Sequence, residues 1–177
     1  MEKRFVTKCK NTMVFVLATC LICFINMYIV RLAYVTGESM YPTLLDGDLI
    51  LVNVMNDNPS KGDIVLIDTS ENSWIGKFIV KRVIAIEGDT VTLDYEHNIV
   101  YVNGVGISEP YLNKDWGDPM IEQDGMSMVT YQVPQGAYFI MGDNRNKSID
   151  SRDEILGMIE RTEIVGVVFV HFSVTNL

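Results

Sequence analysis

Phe78-Ile79-Val80-Lys81-Arg82-Val83-Ile84-Ala85-Ile86 is a run of β-branched and other apolar residues broken by two consecutive cations. Such a run predicts a strand, and a strand points successive side chains to opposite faces. Ile79, Lys81 and Val83 then share one face, and Val80, Arg82 and Ile84 the other. A basic group therefore stands on each side of an apolar strand. Two readings of Lys81 follow. An ammonium surrounded by aliphatic groups loses hydration, so its pKa falls and a fraction becomes the neutral amine that a general base requires. On an edge strand the same residue is an outward charge that discourages aggregation.

Around this run lie further stretches of the same kind between turn signals. Leu49 to Val54, Asp63 to Ile67, Thr90 to Leu93, Ile99 to Val102, Tyr138 to Met141 and Ile164 to Phe172 read as strands. Gly47-Asp48, Gly62-Asp63, Gly88-Asp89, Asn103-Gly104 and Gly142-Asp143 punctuate them, as turns needing positive φ or an Asx hydrogen bond do. Residues 94 to 98 predict a hairpin, Ser108 to Met128 a loop-rich excursion, and Asp153 to Glu160 one or two helical turns limited by Gly157. The fold class expected is mainly β.

At 177 residues and 48% apolar content, the chain suffices for one such domain and an appendage. The appendage is Met13 to Val30, which in helical form covers roughly 27 Å and matches the hydrocarbon thickness of a bilayer. Lys3, Arg4, Lys8 and Lys10 precede it against a single Glu2, so residues 1–12 are expected in the cytoplasm and residues 31–177 outside the membrane. A cleaved secretory leader has a shorter apolar region and a small-x-small site, and neither is present at Tyr28-Ile29-Val30-Arg31-Leu32. The expectation is a single-pass cell-membrane protein whose anchor is retained.

Residues 31–177 hold ten basic and twenty-two acidic side chains. So acidic a domain repels nucleic-acid phosphates and excludes that partner. All three cysteines, Cys9, Cys20 and Cys23, precede residue 31, so the large domain has no thiol to oxidise. Cys20-x-x-Cys23 lacks the further ligands that zinc needs and reads as apolar filler.

Chemistry is narrowed by elimination. His97 falls in the expected hairpin and His171 in the last apolar strand, and neither has a neighbourhood resembling that of a triad histidine. No His-Glu-x-x-His or P-loop occurs. Asp143 to Glu154 begins and ends like a calcium loop, but Arg145, Lys147 and Ser148 stand where ligands and a glycine are required. No metal or cofactor is expected. Ser39 lies in Gly37-Glu38-Ser39-Met40-Tyr41-Pro42-Thr43-Leu44, where Tyr41 replaces the second glycine of a nucleophile elbow. No serine precedes a lysine by three, so a Ser-Lys pair has to form across the fold.

Four ordered blocks resemble the type I signal peptidases of bacteria, serine endopeptidases that remove signal peptides from exported preproteins. They are Ser39 to Leu44 after the apolar segment, Gly62-Asp63-Ile64-Val65, Lys81-Arg82-Val83-Ile84, and Met141-Gly142-Asp143-Asn144-Arg145-Asn146-Lys147-Ser148-Ile149-Asp150-Ser151-Arg152. The resemblance implies a signal-peptidase-like β-rich catalytic domain, with Ser39 as nucleophile and Lys81 as its general base. It implies further that Ser148 orients the lysine and that Asp150 and Arg152 brace the segment beneath the site. Expected partners are signal-peptide-bearing preproteins and the lipid bilayer; oligomeric state is left open. Gly37 stands where some relatives place a hydroxyl residue that helps bind the oxyanion, which leaves that task to backbone donors. Glu87 and Ala85 depart from a frequent proline and glycine, changes expected to alter a turn and not the reaction. Two other readings stay open: a Ser-Lys protease with a different substrate, such as the self-cleaving repressors, and an anchored binding domain of the same fold without activity.

Overall fold

The computed structural model describes residues 2–70, 75–112, 119–121 and 125–173, without the side chains of 2–7, 9, 26 and 27. A long helix α1 (Glu2–Tyr28) leads into the strands β1 (Val30–Tyr34), β2 (Leu49–Asn53), β3 (Ile64–Asp68), β4 (Phe78–Ile86), β5 (Thr90–Asp94) and β6 (Ile99–Val102). There follow β7 (Val105–Gly106), β8 (Met128–Gln132), β9 (Ala137–Met141), β10 (Ile159–Glu160) and β11 (Ile164–Phe172). They form two antiparallel sheets, one ordered β1-β2-β11-β3-β4-β9-β10 and the other β7-β6-β5-β8. The fold is mainly β, as expected.

The decisive run is β4, whose bounds match the sequence reading. It lies between β3 and β9, with Lys81 opposite Val65 and Arg82 opposite both Ile64 and Met141. The edge-strand reading of Lys81 therefore fails, since both edges of β4 are already paired. Its neighbour β9 is buried throughout and alternates strictly. Ala137, Phe139 and Met141 join Val91, Leu93 and Val100 between the sheets, while Tyr138 and Ile140 pack on Val65, Ile67 and Val83. A strand buried on both faces explains a continuous apolar run without polar alternation. A third cluster of Val35, Met40, Leu44, Ile50, Val52 and Leu66 lies under the segment that carries Ser39.

Several expectations are corrected. The helix stops at Tyr28, and Val30, read as the end of the apolar run, pairs with Asn53 in β1. Neither β1 nor β8 was anticipated. In β8 the residues alternate exposed and half-buried at a sheet edge, so polar Thr130 and Gln132 dilute the apolar signal. Asp153 to Glu160 forms turns ending in β10, with Gly157 at φ +65° where a helix cannot continue. Of the expected excursion from Ser108 to Met128, residues 113–118 and 122–124 lie outside the described residues, as does Met1 of the expected cytoplasmic segment. Side chains along α1 are described without a break over 10–25, where all are exposed. Among the described residues no helix is long and apolar enough to cross a membrane.

β11 reaches β2 across Gly166, beside a shift in its register with β3. A Cβ at that position falls 2.3 Å from the Asn53 carbonyl oxygen, which is backbone and has little freedom to retreat. Gly166→Ala is expected to destabilise the chain by about 1–3 kcal/mol, as overpacking in an ordered interior does. Urea unfolding followed by circular dichroism checks this: the midpoint falls with the slope unchanged.

Candidate active site

Ser39 follows β1 through a turn held at both ends. Gly37, at φ +87°, donates its N–H to Asp46 Oδ1 at 2.7 Å. Beyond the serine, Met40 and Leu44 are buried and close a helical turn through Leu44 N–H to Met40 O at 2.9 Å. Thr43 Oγ1 donates to Asp143 Oδ2 at 2.5 Å. The serine is thereby fixed half-buried on an apolar footing.

Lys81 reaches this serine from β4, with Nζ 2.7 Å from Ser39 Oγ and 3.1 Å from the Val80 carbonyl. The residue is 4% exposed. Burial lowers its pKa from 10.5 to about 8, against the pull of the Asp150 and Asp143 carboxylates and with help from the Arg152 cation. The amine and hydroxyl thus form a hydrogen-bonded pair across the fold, close enough for proton transfer.

The segment after β9 closes the site from the other side. Asp150, fully buried, accepts from Arg152 Nε at 2.7 Å, Arg152 Nη2 at 2.9 Å and the Gly142 N–H at 3.0 Å. Arg152 Nη2 also donates to the Arg145 carbonyl at 2.5 Å, and Arg145 Nε to the Gly142 carbonyl at 3.1 Å. Asn144 ties this brace to the Ser39 turn, donating its N–H to Ser39 O at 3.0 Å. Gly142-Asp143 reads in the sequence as a turn needing positive φ or an Asx hydrogen bond; Gly142 does not have positive φ and is required by contact. A Cβ there would lie 2.3 Å from Ser148 Oγ and 2.5 Å from the Ser39 carbonyl oxygen.

Ser39 and Lys81 are brought together, and Asp150 and Arg152 pair beneath them. Ser148 is brought to the site, but its buried Oγ has no hydrogen-bond partner and makes no bond to Lys81. His97 meets Asp94 Oδ2 at 2.9 Å on an exposed hairpin, and His171 is exposed on β11 opposite Ile50. Glu87 accepts the Gly136 N–H at 2.7 Å, so this departure shapes a turn.

Sequence reasoning did not find the partners of Arg82. Its guanidinium binds Asp143 through Nε at 2.8 Å and Nη2 at 2.6 Å, donates to the Gly62 carbonyl at 2.7 Å, and lies 3.9 Å over the Tyr111 ring. Tyr111 donates to Glu109 at 2.8 Å, and Glu109 pairs with Arg145. The signal was a second cation on a buried strand, which demands a carboxylate; which carboxylate, sixty-one residues away, is a matter of folding.

The family model described as signal peptidase, peptidase S26, matches residues 9–173. Signal peptidase I T of Bacillus subtilis strain 168 is 39% identical over 170 residues, covering 92% of this chain and 84% of the relative. Signal peptidase IB of Staphylococcus aureus strain Mu50 is 35% identical over 164 residues, covering 84% of this chain and 80% of the relative. Among solved structures, a signal peptidase I from Enterococcus faecalis V583 aligns with a TM-score of 0.50 at 30% identity. That alignment covers 63% of this chain and 97% of the other.

Two stability measurements follow from this geometry. Asp143→Ala leaves the Arg82 guanidinium buried and unpaired and is expected to cost about 3–5 kcal/mol in urea unfolding. Lys81 holds its proton less tightly folded, at about 8, than unfolded, at 10.5. Its charge therefore opposes folding below pH 8, and the opposition fades as pH rises from 8 to 10.5. Lys81→Met is expected to be more stable than wild type by up to about 3 kcal/mol at pH 7. That advantage should shrink by pH 10.5. An advantage that does not change with pH would mean that desolvation of the ammonium is not its source.

Proposed function

The chain belongs to the type I signal peptidases, peptidase family S26, and is a serine endopeptidase, and from that premise we propose that it removes signal peptides from exported preproteins by a Ser39–Lys81 mechanism. The observation that supports the mechanism most directly is the 2.7 Å approach of Lys81 Nζ, on a residue only 4% exposed, to Ser39 Oγ. Lysine is an established substitute for histidine as the base beside a serine nucleophile.

In this reading neutral Lys81 takes the hydroxyl proton as Ser39 Oγ attacks the scissile carbonyl carbon. The tetrahedral oxyanion is met by backbone donors, among them the Ser39 N–H, since Gly37 has no side chain to offer. Collapse breaks the C–N bond, Lys81 returns the proton to the leaving amine, and the signal peptide stays esterified to Ser39. A water molecule, deprotonated in turn by Lys81, hydrolyses the ester and regenerates the serine. Ser148 serves as the hydroxyl that orients Lys81; in support, its buried Oγ has its hydrogen-bonding capacity unspent and lies against Gly142 beside Ser39. Asp150 and Arg152 hold that segment in place. The substrate lies extended, with small side chains at the first and third positions before the cut, as the family resemblance implies.

The apolar run from Met13 to Val30 is proposed as a retained membrane anchor, with residues 1–12 cytoplasmic and residues 31–177 the extracytoplasmic catalytic domain. Its exposed apolar side chains, such as Phe15 and Ile22, support this. So does the short reach between the end of α1 and Ser39, at most roughly 40 Å for a fully extended chain. Cleavage would then occur at the outer membrane surface, where a preprotein presents the residues just beyond its own inserted segment.

A preprotein with a small-x-small site, incubated with the detergent-solubilised chain and its product N-terminus sequenced, tests the reading. Ser39→Ala and Lys81→Ala are each expected to lower kcat by at least about a thousandfold, as loss of a member of a cooperative nucleophile-base unit does. Either variant within tenfold of wild type would reject that residue's role. In the wild type, kcat/KM is expected to rise about tenfold per pH unit while Lys81 is protonated and to level off above about 8.

A further inference from the structure

An exposed ion pair flanks the nucleophile. Lys147 Nζ lies 2.7 Å from Glu38 Oε2, with the side chains 61% and 62% exposed. Glu38 immediately precedes Ser39, and Lys147 immediately precedes Ser148. The pair is not needed to fasten these two segments together. Asn144 already does so twice, through its N–H to Ser39 O at 3.0 Å and its Nδ2 to Glu38 O at 3.1 Å. A solvent-exposed pair adds only about 0–1 kcal/mol to a fold.

Of the charges held beside the dyad among the described residues, Arg82, Asp143, Asp150 and Arg152 are buried and bound in the pairs described above. Asp46, the remaining exposed carboxylate of the turn, accepts the Gly37 N–H. Glu38 and Lys147 are therefore the exposed charges that directly adjoin Ser39 and Ser148 in the chain. Neighbouring Cα atoms are 3.8 Å apart, which puts the Glu38 carboxylate within roughly 10 Å of Ser39 Oγ, about one Debye length at moderate salt. A substrate charge on the Glu38 side of the scissile bond therefore comes within the unscreened range of the pair.

We propose that the Glu38–Lys147 pair reads the charge of the substrate residues beside the scissile bond by exchanging partners. An acidic side chain takes Lys147 from Glu38, and a basic one takes Glu38 from Lys147. Because the pair is neutral as a whole, either sign is accepted on a domain that is otherwise strongly acidic. The inference rests on the Ser39-centred cleavage proposed above and adds to it a determinant of substrate choice.

The test uses the full chain in detergent and small-x-small peptides that differ in one residue. Asp, Asn or Lys is placed between the two small residues or at either of the first two positions after the cut. Lys147→Gln is expected to lower the ratio of kcat/KM for the Asp peptide over the Asn peptide two- to fivefold at one or more of these positions. Glu38→Gln is expected to lower the Lys/Asn ratio by a similar factor, and both effects should diminish in 0.5 M salt, where the Debye length is roughly 4 Å. The double exchange, Glu38→Lys with Lys147→Glu, keeps an ion pair and should keep acceptance of both charges. Ratios that stay constant while turnover of all peptides falls together would reduce the pair to a fastening and overturn the inference. Wild type that leaves the Asn peptide intact would overturn the cleavage reading itself, a different result from cleavage without charge discrimination.

Discussion

Two consecutive cations in the middle of an apolar sheet are the constraint around which this molecule is arranged. β4 is paired on both edges, so neither Lys81 nor Arg82 has a route to water along the strand. The protein accommodates them in opposite ways. Arg82, whose guanidinium does not lose its proton, is given a bidentate carboxylate, a carbonyl and an aromatic face. Lys81 is given a hydroxyl and a carbonyl, and its burial lowers its pKa to about 8. One cation is paid for with a counter-ion; the other is made easy to discharge.

The segment from Gly142 to Arg152 supplies what both solutions need. Its Asp143 neutralises Arg82, and the same carboxylate receives the Thr43 hydroxyl from the turn that carries Ser39. Asp150 and Arg152 satisfy each other and hold the Gly142 and Arg145 backbone, while Asn144 clasps the Ser39 carbonyl. Buried polar groups that are mutually satisfied make a segment rigid, and rigidity is what a hydroxyl and an amine held at 2.7 Å require. The absence of a Cβ at Gly142 belongs to the same design, since the Ser39 carbonyl and the Ser148 hydroxyl both close on that point. Membership of the S26 family, shown over residues 9–173, agrees with the finding that the family-like blocks converge on one site.

Much of the framework is legible in the sequence. The bounds of β4, β6 and β11 follow from apolar runs between turn residues, and Gly47, Gly62, Gly88 and Gly104 have the positive φ that their turn positions suggested. Strands with a weak pattern escaped, β1 because it continues an apolar helical run and β8 because half of its residues face solvent. Lys81 stands out as a cation on an apolar strand, and Ser39 by the family resemblance. Arg82 is visible as a cation on an apolar strand, but Asp143 is one of twenty-two acidic residues after position 30, with nothing local to mark it as the partner.

By itself, then, the sequence determined the class of fold, the acidic character of the large domain and the residue types available for chemistry, because these depend on local periodicity and composition. Tertiary structure alone decided which strand was interior, which carboxylate faced which cation, and that Gly142 serves close approach and not a turn. It also left Ser148 without a bond to Lys81 and set the exposed Glu38 and Lys147 against each other. Those outcomes depend on pairing between residues forty to more than a hundred positions apart, which a local pattern cannot encode. A lysine becomes a candidate base only when the chain has folded water away from it.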